Sequence, residues 1–141
     1  MLYLDTSLVV TALVNEPRTH DVQQWLKEQG NSPLLISQWT VTEVSAALSI
    51  KLRTRQITSD DRALAQELFS ELAAESYGIV DVTNAHFQSA ARFARQHQLS
   101  LRAGDALHLA IASSVDATLH TLDHRQAEAG PPLGVATKLL G

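Results

Sequence analysis

The feature that most restricts the fold is a regular alternation of short apolar runs with longer segments of helical periodicity. Apolar runs at 2–4, 34–36, 79–80 and 117–122 predict strands, and the tail around 133–135 predicts a short edge strand. Strands separated by helices imply crossover connections, which produce parallel pairing with helices covering the sheet. The sequence therefore predicts an α/β fold, a three-layer α/β/α domain with a mostly parallel central sheet.

Helical spacing and capping residues predict where the helices lie. The fourth predicted helix, which starts near Ile57 to Asp61, has Leu64, Leu68, Phe69 and Leu72 as its expected buried stripe. A fifth begins at Asn84 and places Phe87 on its apolar side. The other predicted helices are 8–15, 19–29 with Gly30 as the C-cap, 41–52 and 103–113.

Composition predicts one ordinary globular unit. The length of 141 residues and the 45% hydrophobic content suit a single domain over residues 1–141 with its own core. There is no cysteine, no basic leader region and no run long enough for a membrane span, so we expect a cytoplasmic protein with no membrane association. The net charge of −4 argues against binding nucleic acid through charge alone.

Four acidic residues occupy equivalent places in this pattern. Asp5 and Asp123 follow predicted strands, whereas Glu43 and Asp105 are expected near the starts of helices. The carboxyl ends of parallel strands and the helix starts that follow them share one edge of a sheet, where such sheets place their sites. These four side chains are therefore the candidate catalytic residues.

Helix capping is the competing interpretation of each acid. Asp5 and Asp123 could accept backbone N–H bonds as N-caps, and Thr40 with Glu43 matches a capping box. Taken singly, each acid fits this structural role better than a catalytic one. Both interpretations stay open on the sequence alone.

Convergence of the acids would require a counter-charge. Two carboxylates about 5 Å apart repel by roughly 3 kcal/mol at an effective dielectric constant near 20. No Lys or Arg accompanies all four positions. A divalent cation is therefore the expected neutralising partner of the cluster.

The sequence resembles the PIN-domain family, and more narrowly the VapC-type toxins of bacterial toxin–antitoxin pairs. The likeness spans nearly the whole chain. It rests on Leu4-Asp5-Thr6-Ser7, Glu43 after Ile36-Ser37, Gly104-Asp105-Ala106-Leu107-His108-Leu109-Ala110 and Thr121-Leu122-Asp123. The family often has an aromatic residue soon after the fourth acid, whereas this chain has His124-Arg125-Gln126-Ala127.

The resemblance implies an endoribonuclease that uses Mg²⁺ or Mn²⁺. It assigns Asp5, Glu43, Asp105 and Asp123 to the acidic positions, and we expect Asp5, Asp105 and Asp123 to hold the metal. It also implies a cognate antitoxin and a homodimer. Polar positions beside the acids fall on Thr6 or Ser7 and on Thr121, and the residues predicted to contact RNA are Arg102, Ser7 and Thr121.

Other protein classes remain as alternatives. A PIN-like scaffold that has lost catalysis and only binds a protein partner would have the same fold. A haloacid dehalogenase phosphatase would need a second acid where this chain has Ser7. A zinc site would use His120 and His124, but a turn is expected between them, so their spacing does not place both on one helical face. His108 is expected either to bond Asp105 or to fill the core.

Overall fold

A computed structural model describes residues 1–141, which form five strands and seven helices. The strands are β1 (Leu2–Leu4), β2 (Leu34–Ser37), β3 (Tyr77–Val80), β4 (Thr118–Thr121) and β5 (Thr137–Leu139). The helices are α1 (Thr6–Leu13), α2 (Thr19–Glu28), α3 (Gln38–Arg53), α4 (Ser59–Glu75), α5 (Asn84–Ala94), α6 (Ala103–Ser114) and α7 (His124–Ala129). No helix combines the length and apolarity needed to cross a bilayer.

All five strands form one parallel sheet in the order β3-β2-β1-β4-β5. Strands β2 and β3 are added in turn on one side of β1, and β4 and β5 are then added on its other side. The strand order therefore reverses between β1 and β4, and the crevice at the carboxyl ends of these two strands is where α/β sheets bind ligands. The α/β prediction is confirmed, and the edge strand at the C-terminus exists, a few residues later than expected.

Two apolar cores separate the layers. Successive residues of a strand point to opposite faces, so Leu4 of β1 belongs to one core and Tyr3 to the other. The Leu4 core is covered by α1 to α4, and the Tyr3 core is covered mainly by α5 and α6. Helix α6 carries an unbroken buried run, Ala106 to Ala112, because it lies against the sheet and α5 together.

The buried faces of α4 and α5 differ from the predicted ones. Leu64 and Leu68 are 66% and 38% exposed. Phe69 is buried as predicted, Leu72 is partly buried against the core, and Ala65 is the additional buried residue of α4. Phe87 of α5 is likewise 56% exposed. Successive residues on a helix are turned by about 100° from one another. Each helix is rotated by about one position relative to the prediction, so Ala65 is buried in place of Leu64, and His86 in place of Phe87. The prediction is therefore wrong for Leu64, Leu68 and Phe87, and it is confirmed for Phe69.

Gly130 supplies a stability test of the C-terminal packing. A Cβ atom at this position would lie 2.2 Å from Thr137 Cγ2 and 2.8 Å from the Val135 carbonyl oxygen. We expect Gly130→Ala to lower the free energy of unfolding by about 1–3 kcal/mol, because the clash includes backbone. Urea denaturation measures this. Gly78→Ala is the control, since its added Cβ would lie 2.8 Å from only the end of the flexible Leu35 side chain. If Gly130→Ala lowers the free energy of unfolding by no more than Gly78→Ala does, the packing described is contradicted.

Candidate active site

Asp5 lies where β1 ends, and its side chain caps α1. Its Oδ2 atom accepts hydrogen bonds from the Ser7 backbone N–H at 3.3 Å, the Ser7 hydroxyl at 2.7 Å and the Thr121 hydroxyl at 2.9 Å. The residue is only 6% exposed. The capping interpretation is therefore correct for Asp5, and the same bonds fix its carboxylate in the crevice between β1 and β4.

Gln126 of α7 completes the surroundings of Asp5. This fully buried side chain places its amide nitrogen 3.1 Å from Oδ1 and 3.2 Å from Oδ2 of Asp5. The opposite amide orientation would set its oxygen against the carboxylate, where no hydrogen bond can form. Sequence reasoning missed Gln126, because a glutamine on a short helix carries no pattern that marks it as buried.

Glu43 lies in the second turn of α3, since this helix begins at Gln38 and not at Val41 as predicted. The predicted capping box of Thr40 and Glu43 is wrong. Ser37 is the N-cap, and Thr40 occupies the reciprocal position of the box. Because β2 passes directly into α3, the helix starts one turn earlier than the apolar spacing suggested. Glu43 is consequently free of any capping role.

The carboxylate of Glu43 is bound by two side chains. Its Oε1 atom accepts a hydrogen bond from the Thr6 hydroxyl at 2.7 Å and a short one from His108 Nε2. Burial raises the pKa of Glu43, but the hydrogen bond and charge of His108 and the bond from Thr6 outweigh it, so this pKa lies below its usual value. His108 is 1% exposed, and its Nδ1 lies 2.7 Å from the Tyr3 hydroxyl. Sequence reasoning placed His108 either in the core or beside Asp105; it is buried, and the acid it binds is Glu43.

Asp105 differs from the other acids because its carboxylate has no hydrogen-bond or ion-pair partner. It lies half-buried in the first turn of α6. Burial raises the pKa of Asp105, and the negative charges of Asp5 and Asp123 raise it further; His108 opposes this and Glu43 adds to it. The electrostatic field of the other three acids therefore reaches Asp105.

Asp123 follows β4 and caps α7. Its Oδ1 accepts a hydrogen bond from the Arg125 backbone N–H at 2.9 Å, and its own N–H donates to Thr121 Oγ1 at 3.0 Å. The capping interpretation is thus correct for Asp123 as well. Its half-buried carboxylate keeps one oxygen outside this bond and acts on Asp105 through charge.

The four carboxylates form an open group of oxygen donors. No three His, Asp or Glu side chains converge closely enough to enclose a metal ion by themselves. Magnesium prefers oxygen ligands, retains several waters and needs only one or two carboxylates. The unpartnered Asp105 and its raised pKa show where a cation would relieve repulsion. The donor set therefore fits Mg²⁺ or Mn²⁺ held partly through water.

The histidines do not form a metal site. His120 packs against Trp25 with ring centroids 5.1 Å apart, and His124 is exposed at the start of α7. His108 uses both ring nitrogens in contacts with Tyr3 and Glu43. The zinc interpretation thus finds no support in the positions of these rings.

The three residues predicted to contact RNA lie in different environments. Thr121 is fully buried and donates to Asp5, so it holds that carboxylate and does not face solvent. Ser7 is partly buried and also donates to Asp5. Arg102 is exposed, precedes α6 and forms no ion pair, so it is available to a phosphate. Contact of Ser7 and Arg102 with RNA stays a prediction.

Comparison with known proteins identifies the family and the fold. A family model described as PIN domain matches residues 2–130. A search of curated proteins gives no match. Among solved structures, FitAcB from Neisseria gonorrhoeae is similar with a TM-score of 0.76 at 20% identity, covering 97% of this chain and 96% of that one.

Two further structures agree with this fold. VapBC2 from Rickettsia felis, bound to a DNA fragment from its promoter, gives a TM-score of 0.68 at 17% identity, covering 99% of this chain and 98% of that one. VapC20 from Mycobacterium tuberculosis, described as a sarcin-ricin loop cleaving toxin, gives 0.72 at 15% identity, covering 92% and 95%. At these identities the likeness establishes the fold alone.

Proposed function

This chain belongs to the PIN-domain family, and from that premise we propose that it is a metal-dependent endoribonuclease, the toxin of a toxin–antitoxin pair. In this proposal residues 1–141 act as one nuclease domain in the cytoplasm. Asp5, Asp105 and Asp123 hold Mg²⁺ or Mn²⁺, and Glu43 completes the catalytic set. Support for a nuclease comes from the family, and support for a toxin comes from structural neighbours described as a toxin or as members of toxin–antitoxin systems.

The unpartnered carboxylate of Asp105 carries the proposal. A half-buried acid without a hydrogen bond, facing the charges of three other acids, is unfavourable unless a cation joins the group. Structural capping accounts for Asp5 and Asp123 but for neither Asp105 nor Glu43. The crevice at the strand-order reversal is also the place where this class of sheet binds ligands.

The residues divide the chemical work between them. Hydrolysis joins a water oxygen to phosphorus and breaks the P–O bond to the leaving ribose oxygen, which takes up a proton. When bound, the ion would supply positive charge for the phosphoryl oxygens and acidify a water molecule. Asp5 is held rigidly by Ser7, Thr121 and Gln126, so it provides a fixed ligand. Asp105, which is free of such bonds, can adjust to the ion.

The charge balance explains why the ion would be needed for substrate binding. The chain has a net charge of −4, and an acidic cluster repels phosphate. Arg102, exposed at the start of α6, is the candidate contact to the RNA backbone. RNA is proposed as the substrate because VapC20, which shares the fold, is described as cleaving the sarcin-ricin loop.

An RNA cleavage assay with and without chelator tests this function. We expect purified protein to cut total cellular RNA in Mg²⁺ or Mn²⁺ and to lose the activity in excess EDTA, with recovery when the ion is restored. Cleavage that is insensitive to EDTA would contradict the metal assignment. The absence of any cleavage under all ions would favour the alternative, an inactive PIN-like scaffold that only binds a protein partner.

A protein partner, the antitoxin, is proposed for the outer face of α2 and α4. A groove of about 590 Å³ lies between these helices, with Leu26, Leu68 and Leu72 among its lining residues. We expect Leu68→Glu to abolish co-purification with the product of a neighbouring antitoxin gene and to leave RNA cleavage unchanged. Phe87→Glu on α5 is the matched control, since Phe87 is also exposed; equal losses from both variants would contradict the assignment.

The proposed homodimer is tested by sedimentation of the free protein.

A further inference from the structure

A line of hydrogen bonds leads from the protein interior to Glu43. The Tyr3 hydroxyl donates to Ser37 Oγ at 2.9 Å and lies 2.7 Å from His108 Nδ1. His108 Nε2 then binds Glu43 Oε1, which also accepts from Thr6. Tyr3, Ser37 and His108 are buried, so this line cannot exchange freely with water. The orientation of the Glu43 carboxylate is therefore set from inside the protein.

His108 also lies between two of the acids. Its Nε2 atom, already bonded to Glu43, is 3.9 Å from Asp5 Oδ1. The ring comes from α6, whereas Glu43 belongs to α3 and Asp5 follows β1. One imidazole thus links three separate elements at the point where the acids approach one another.

The other carboxylate oxygen of Glu43, Oε2, lies beside Gly104. A Cβ atom on Gly104 would lie 3.0 Å from Glu43 Oε2 and 3.4 Å from Trp39 Nε1. The buried Trp39 N–H has no hydrogen-bond partner, and both hydrogen bonds of the Glu43 carboxylate go to Oε1 and none to Oε2. Glu43 is held on the Oε1 side by His108 and Thr6, and the missing side chain at Gly104 leaves room for Oε2.

We propose that His108 is a positioning residue, which orients the Glu43 carboxylate within the acidic cluster and thereby supports phosphodiester hydrolysis. This inference rests on the proposed nuclease function. This role differs from core packing and from metal binding. Both ring nitrogens of His108 already contact Tyr3 and Glu43, so neither is left to bind a metal ion. Outer contacts that orient a catalytic or metal-binding carboxylate typically contribute 10- to 100-fold to activity or metal affinity.

Two amide substitutions separate positioning from packing. The amide nitrogen of His108→Gln can take the place of Nε2 and still donate to Glu43, whereas the shorter His108→Asn reaches only toward Tyr3. Both remove the ring, so both lose similar packing. His86 gives the matched controls, since it is similarly buried and bonds Thr83 and Ser114 but no carboxylate.

We expect His108→Asn to lower kcat by about 10- to 100-fold, with KM nearly unchanged, and His108→Gln to recover most of it. His86→Asn and His86→Gln should leave kcat unaltered. In metal-free protein, the ¹³C resonance of the Glu43 carboxylate should shift in His108→Asn and return toward its wild-type value in His108→Gln. Equal kcat values for the Asn and Gln variants of His108, or an unmoved Glu43 resonance in His108→Asn, would overturn the inference.

Loss of the nuclease function and loss of the positioning role of His108 give different results. A wild-type protein without metal-dependent cleavage would refute the proposed function, and the Glu43 resonance would still decide whether His108 orients the carboxylate. Normal wild-type cleavage with full activity in His108→Asn would refute the positioning role and leave the nuclease intact. If His108→Asn does not fold, Tyr3→Phe, which removes the hydroxyl behind the ring, should move the same resonance; an unmoved signal there counts against the inference.

Discussion

The Asp105→Asn protein is expected to lose RNA cleavage by about 10²- to 10³-fold, while its stability at neutral pH stays equal or rises. Activity falls because the free carboxylate is the proposed adjustable ligand. Stability does not fall because this carboxylate accepts no hydrogen bond, and burial with the charges of Asp5 and Asp123 raises its pKa. Removing the charge therefore removes repulsion from the folded state. Initial cleavage rates and urea denaturation measure the two effects.

The sign of the pH dependence follows from the same shift. Asp105 has a higher pKa in the folded than in the unfolded state. Such a carboxyl begins to destabilise the folded protein as pH rises through its unfolded pKa, and the destabilisation reaches its full size once pH exceeds the folded pKa. In the absence of divalent ions, the wild-type protein should therefore lose stability relative to Asp105→Asn as pH rises from the acidic range in which carboxyls ordinarily titrate until Asp105 is ionised in the folded protein. A stability difference that does not change with pH would contradict the repulsion described.

Asp61 provides a control of opposite sign. The Thr58 backbone N–H donates to the Asp61 carboxylate at 2.9 Å, and this bond, together with the Thr58 side chain, lowers the pKa of this exposed carboxyl at the start of α4. Its contribution to stability is present above the unfolded pKa and is lost as pH falls through the folded one. Asp61→Asn should thus lower stability at neutral pH slightly and leave cleavage unchanged. Loss of cleavage in both variants would indicate a general effect of charge and not a site at Asp105.

The second large effect concerns stabilisation by divalent ions. At a concentration one hundred times its Kd, an ion that binds only the folded state raises the free energy of unfolding by about 2.7 kcal/mol. We expect Mg²⁺ or Mn²⁺ to stabilise wild-type protein and Asp61→Asn in this way, and Asp105→Asn very little. Equal ionic strength set with KCl removes the contribution of general screening. Equal stabilisation of Asp105→Asn and wild type would place the ion elsewhere.

The positions of the acids were predictable because they depend on the order of strands and helices. Asp5 and Asp123 follow strands that turned out to be neighbours, so their places at one edge follow from the parallel arrangement. The sequence could not separate capping from catalysis, and the structure shows why. Asp5 and Asp123 do cap their helices, and this capping is compatible with a second role.

The supporting side chains were not predictable in the same way. Gln126 and Tyr3 reach the acids only through tertiary packing, and nothing in their local sequence distinguishes them from surface or core residues. His108 lay inside the most specific motif, yet its partner is 65 positions away on α3. The rotation of α4 about its axis was likewise not predictable from the sequence. Which of its residues are buried depends on the elements that α4 packs against as well as on its apolar spacing.

The most direct measurement is a crystal structure of the protein soaked in Mn²⁺, with anomalous diffraction used to locate the ion. We predict an anomalous peak between the carboxylates of Asp5 and Asp105, with Asp123 near it and waters completing the coordination. The peak should disappear in Asp105→Asn crystals. No peak at this crevice, or an Mn²⁺ ion bound only elsewhere on the molecule at saturating concentration, would contradict the account.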